Sequence, residues 1–122
     1  MSLFDPMDYE HFAGSLAGVT LVDQWDARVA KVGGKVFALR TARAHDDGTS
    51  IVFKVAEESF EILTSIEGIG QAPYFAKRQW VSVSDGADLP DADLRTYVER
   101  SYRRVAKGLT KKARTELGIE IG

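Results

Sequence analysis

The sequence predicts an α+β fold, a two-layer sandwich in which a mainly antiparallel sheet carries its helices on one face. Three observations lead there. Four short runs rich in β-branched and aromatic residues follow one another between residues 19 and 55, separated by turn-forming stretches. Helical periodicity replaces alternation before that block, after it, and again beyond residue 90. Consecutive strands joined by short loops must run antiparallel, because a parallel return needs a crossover of a dozen or more residues. The predicted order is α-β-β-β-β-α-β-α, and such a sheet needs only one apolar face.

Each element has its own signal. Asp5-Pro6 supplies an N-cap followed by proline at the first helical position, and Met7, Phe12 and Leu16 then fall near one side until Gly18 closes the helix. Residues 19–22, 27–32, 36–41 and 51–55 read as a strand meander. Trp25-Asp26 marks the first bend, Gly33-Gly34 can take the positive φ of a primed hairpin turn, and Asp46-Asp47-Gly48 forms a looser turn. Ala56, Phe60, Leu63 and Thr64 recur at helical spacing over 56–65, with Glu57, Glu58 and Glu61 opposite, where acidic groups suit an N-terminal turn. Gly68-Ile69-Gly70-Gln71 is expected to be a loop. Residues 78–84 form a strand that alternates Val81 and Val83 with Trp80 and Ser82. Leu89-Pro90 leads into the longest helix, whose apolar stripe is Leu94, Val98, Ser101, Tyr102, Val105 and Leu109. Arg95, Glu99, Arg100, Arg103 and Lys107 lie away from that stripe, and Gly108 precedes a last basic turn at 111–117.

With 122 residues, the chain is expected to be one domain over 1–122. A chain of this size buries roughly 65% of its unfolded surface, enough to fold without a metal or a disulfide. It has no cysteine, which excludes thiolate nucleophiles, iron–sulfur clusters and Cys-based zinc sites. No basic segment followed by an apolar stretch opens the chain, and no run is long and apolar enough to span a bilayer, so a cytoplasmic protein away from the membrane is expected. The formal net charge of −2 argues against indiscriminate coating of nucleic acid. Its distribution is uneven. Residues 1–76 hold 6 basic and 11 acidic groups, a net of −5, whereas residues 77–114 hold 10 and 5, a net of +5; Glu116 and Glu120 restore the total. The basic third is either a solvated helix face or a surface that meets anions.

Catalytic signals are sparse. His11 and His45 lack metal-ligand spacing, and neither a P-loop, HExxH nor a nucleophile elbow occurs. No metal, cofactor or catalytic residue is therefore assigned, and a non-enzymatic role is expected. The remaining signal is 74–80, where Lys77 and Arg78 adjoin Trp80. Trp80 either faces outward with Arg78, able to stack on a base, or lies buried beneath the long helix. Lys54 is either part of the same site or an edge lysine with a buried stem.

Trp25, Val36-Phe37-Ala38, Phe53-Lys54-Val55, Ala72-Pro73-Tyr74, the run Lys77 to Val83, Leu89-Pro90-Asp91 and Ser101-Tyr102 follow one another in an order that resembles the MmcQ/YjbR family. These are small bacterial proteins of CyaY-like fold, and the resemblance covers residues 22–117. It implies a YjbR-like fold and DNA binding of a "double-wing" type, with no catalytic set; Gln79 stands where members often carry histidine. On this reading Lys77, Arg78, Arg100, Arg103, Arg104, Lys107, Lys111 and Lys112 meet phosphates and Trp80 stacks or wedges. Lys54 and Tyr74 are further binding candidates. The alternative is a protein-interaction, homodimer-forming or small-ligand-binding domain without nucleic acid, with Trp80, Tyr74 and Phe75 lining a groove.

Overall fold

The computed structural model describes residues 2–42 and 48–119. Helix α1 (Pro6–Gly14) precedes strands β1 (Val19–Gln24), β2 (Ala27–Val32), β3 (Lys35–Ala42) and β4 (Thr49–Lys54). Helix α2 (Glu57–Thr64), strands β5 (Ile69–Gln71) and β6 (Trp80–Ser84), then helices α3 (Asp91–Lys107) and α4 (Lys111–Glu116) complete the chain. The strands form one sheet in the order β1-β2-β3-β4-β6-β5, every neighbouring pair antiparallel. The expected α-β-β-β-β-α-β-α order holds, with two short elements added. Residues 69–71, expected in a loop, are a three-residue edge strand paired with β6, too short to display an alternation. The basic turn after Gly108 is α4. His45 and the Asp46-Asp47 part of the second turn lie outside the described residues.

Both hairpins of the first three strands close in two residues with left-handed backbone. Gly33 and Gly34 sit at φ 59 and 80, as their lack of a Cβ permits. Trp25 and Asp26 take φ 57 and 56 at the equivalent positions of the β1–β2 turn, a conformation that disfavours side chains.

The helices cover one face of the sheet. Phe37, Ile51, Phe53, Val81 and Val83 project from the strands against Leu94, Val98, Tyr102, Val105 and Ala106 of α3. Asp5 caps α1 by accepting from the N–H groups of Met7 and Asp8 at 2.9 and 3.2 Å. Met7, expected inward, is exposed; Tyr9 and Ala13 make the buried face instead. The preceding segment sets that roll. Leu3 is fully buried and its N–H donates to Asp91 at 2.8 Å, while Arg40 Nε donates to the Phe4 carbonyl at 2.7 Å. Tyr9 then reaches the Arg28 carbonyl at 3.0 Å.

One irregularity ties α3 to the sheet. The β2–β3 register shifts between Ala30 and Lys31, so Phe37 becomes an extra residue and, with Ala38, packs into the helix-face core. The β3–β4 ladder stops at Ala38↔Phe53. Beyond it, the buried Ser101 hydroxyl donates to the Phe37 carbonyl at 2.6 Å and accepts from the Lys54 N–H at 2.9 Å, filling the gap. Tyr102 packs edge-on against Phe37, centroids 5.3 Å apart, and donates to the Ala17 carbonyl.

The opposite face is not bare. Val29, Leu39, Val52 and Trp80 form a second, smaller cluster, covered by Ala72 and Phe75 from the β5–β6 loop. Among the described residues no helix is long and apolar enough to cross a membrane.

Candidate functional site

Helical spacing decides which cations come together. Arg100, Arg103, Arg104 and Lys107 recur at intervals of three and four, so they share one face of α3 while Val98, Ser101, Tyr102 and Val105 take the core side. The Ser101–Lys54 hydrogen bond holds the end of β4 against the same helix. Lys54 thereby joins the four α3 cations around one groove of about 610 Å³, whose floor includes Val55, Ala56 and Tyr97. Among the described residues no carboxylate lines it. Arg100 is braced over the Tyr97 ring, 5.4 Å from its centroid, and Tyr97 is stacked on Phe53 at 6.1 Å. Arg103 pairs with Glu99 at 2.8 Å, an exposed i,i+4 contact. Among the described residues Lys54, Arg100, Arg104 and Lys107 have no ion pair. Like charges gathered in one concavity repel, and an anion relieves that repulsion.

The other expected site residues are elsewhere. Arg78 takes φ 64 and turns to α2, where its guanidinium donates to Glu57 at 2.9 Å and to Glu61, and lies 5.5 Å from the Phe60 centroid. The hydrogen bonds it donates to Glu61 and Glu57 hold its pKa above the ordinary value. Its charge is thus matched locally. Lys77 is exposed on the β5–β6 loop, and Lys111 and Lys112 are exposed on α4; none lines the groove. Trp80 fits neither sequence alternative. It points away from the helices, because Val81 and Val83 take the core side, yet it is only 9% exposed because Phe75 covers it with ring centroids 4.6 Å apart. An indole so covered cannot stack on a base.

Sequence reasoning missed Tyr97 and the α2 start as neighbours of the cations, and it had no signal for them. It also missed the exposed Trp25, although a tryptophan in a two-residue hairpin connection is a local anomaly that could have been read. Among the described residues no group of His, Asp or Glu is placed to hold a metal ion, and His11 is exposed on α1.

The YjbR family profile matches residues 14–104. A Deinococcus radiodurans protein with the domain of unknown function DUF419 superposes with a TM-score of 0.81 at 26% identity, covering 93% of this chain and 88% of that one. A Pseudomonas syringae protein shares the fold, with a TM-score of 0.65 at 20% identity over 80% of this chain and 95% of that one. No curated protein matches the sequence.

Proposed function

The chain belongs to the YjbR family, and on that footing we propose that it is a non-enzymatic binding module that takes the phosphate backbone of DNA in the basic groove of α3. The observation that carries this reading is the convergence of Lys54, Arg100, Arg103, Arg104 and Lys107 on one groove with no carboxylate among its described lining residues. Three of the five are arginines, which match phosphate oxygens with two parallel donors. Such contacts give affinity and orientation but no base sequence. Trp80 has no part, and Arg78 is committed to α2. Lys77, Lys111 and Lys112 do not line the groove and are not among the five contacts.

The test is fluorescence anisotropy of a duplex oligonucleotide as salt is raised. Five neutralised phosphates give a log–log slope of about −4.5. Replacing Arg104 and Lys107 together by Gln makes it shallower by about 2, because each phosphate contact contributes close to one unit. No binding at low salt, or an unchanged slope in the double variant, overturns the reading.

A further inference from the structure

We propose that the open face of the sheet holds a second site, for an uncharged heteroaromatic ring of nucleobase type. A cavity of about 670 Å³ lies there, within the range of small-molecule sites. Leu39 and Val52 form its apolar floor, Ser50 and Ser82 add hydroxyls, and Trp25 and Tyr74 are its aromatic walls. It is distinct from the α3 groove and shares no lining residue with it.

Its aromatic walls are the unusual part. Trp25 is 62% exposed and Tyr74 fully exposed, although both are large rings that the core could have used. Both also sit at positive φ, 57 and 70, where an aromatic residue is strained. Neither burial nor backbone preference accounts for an aromatic side chain at these two positions; a flat ligand between them does. The loop backbone that carries Tyr74 is held in advance. Gln71 Nε2 donates to the carbonyls of Ala72, Phe75 and Ala76 at 2.9, 3.3 and 3.4 Å, and its Oε1 accepts the Arg78 N–H at 2.9 Å. Phe75, stacked on Trp80, anchors the same loop from below.

The lining selects the ligand class. No charged side chain is among its described lining residues, which match an uncharged ring better than a phosphate or an ammonium group. Ser50 and Ser82 make no side-chain hydrogen bond among the described residues, and a hydroxyl both donates and accepts, which suits the mixed polar edge of a base.

The experiment is a titration of the full chain with adenosine, followed by amide and indole N–H resonances, with AMP and methyl glucoside as comparators. Adenosine should bind at about 1 mM or tighter, moving the Trp25 indole and the Ser50, Ser82 and Tyr74 amides. Read at these same resonances, AMP should bind no tighter, and the glucoside should leave them unchanged. Trp25→Gly and Tyr74→Gly should each weaken adenosine about tenfold, the effect of losing one stacked ring, while melting at or above the parent temperature because glycine accepts positive φ. The Arg104→Gln, Lys107→Gln double variant should bind adenosine as the parent does. Silence toward adenosine, preference for AMP or the glucoside, or undiminished binding in the two glycine variants overturns the assignment.

Discussion

Replacing Ser101 by Ala removes one hydroxyl from a site with no solvent exposure. That hydroxyl donates to the Phe37 carbonyl at 2.6 Å and accepts from the Lys54 N–H at 2.9 Å, two backbone groups that the bulge in β3 has withdrawn from the sheet ladder. Alanine leaves both without a partner. An unsatisfied buried donor or acceptor costs about 1–3 kcal/mol, so the expected loss for the two is about 2–6 kcal/mol, a large part of the roughly 5–15 kcal/mol that holds a domain folded. In a thermal melt this is a fall of about 10 °C or more for a chain of this length. Urea unfolding is the primary assay, with a lower midpoint and an unchanged slope, and hydrogen exchange at the Lys54 amide should speed up. Ser65→Ala is the internal control. Its hydroxyl donates to the Ile62 carbonyl at the same 2.6 Å, but on the exposed end of α2, so water replaces it and the change stays within about 0.5 kcal/mol. If Ser101→Ala costs no more than Ser65→Ala, the hydroxyl does not fill the gap in the ladder and the reasoning fails.

The two glycines of the β2–β3 turn should respond differently to alanine. A Cβ on Gly33 would lie 2.7 Å from both Leu109 methyl groups, whereas one on Gly34 meets nothing within 4 Å. Both substitutions carry the left-handed strain of about 1–2 kcal/mol, so Gly33→Ala should lose more stability in urea, and equal losses would refute the contact. Stability should also fall at both pH extremes. Burial first, with Glu10 adding, raises the Tyr9 phenol against the opposing Arg28 and Arg40, so the neutral form is favoured in the fold. That contribution is complete below the ordinary tyrosine value of about 10 and is lost as pH climbs from there toward the raised native value. Tyr9→Phe should flatten the alkaline limb of a plot of melting temperature against pH. Burial raises the Asp91 carboxyl, but hydrogen bonds from Arg95 and the Leu3 N–H outweigh it and hold the pKa below the ordinary range. Its contribution is therefore lost as pH falls below that range, and Asp91→Asn should flatten the acid limb; an unchanged acid limb would refute the Leu3–Asp91–Arg95 linkage.

What the sequence determined by itself is what depends on neighbours in the chain. Gly33-Gly34 announced a hairpin because φ is a property of single residues, and Asp5-Pro6 announced a helix start because capping is completed within three positions. The α3 stripe was legible for the same reason: Leu94, Val98, Ser101, Tyr102 and Val105 are buried as their spacing requires. The gathering of Arg100, Arg103, Arg104 and Lys107 on one helix face follows from spacing too. Tertiary structure decided everything that joins distant segments. Lys54 meets those cations only because a bulge in β3 leaves backbone groups for Ser101 to bind. Alternation assigned Trp80 a face but could not show that Phe75, on a loop stitched by Gln71, would cover it. Arg78 was read beside Trp80 along the strand, whereas its positive φ sends it to Glu57 and Glu61. Periodicity assigns a side chain to a face of its own element, whereas cover and charge partners come from elements packed against it, and their placement is settled only when the whole core closes.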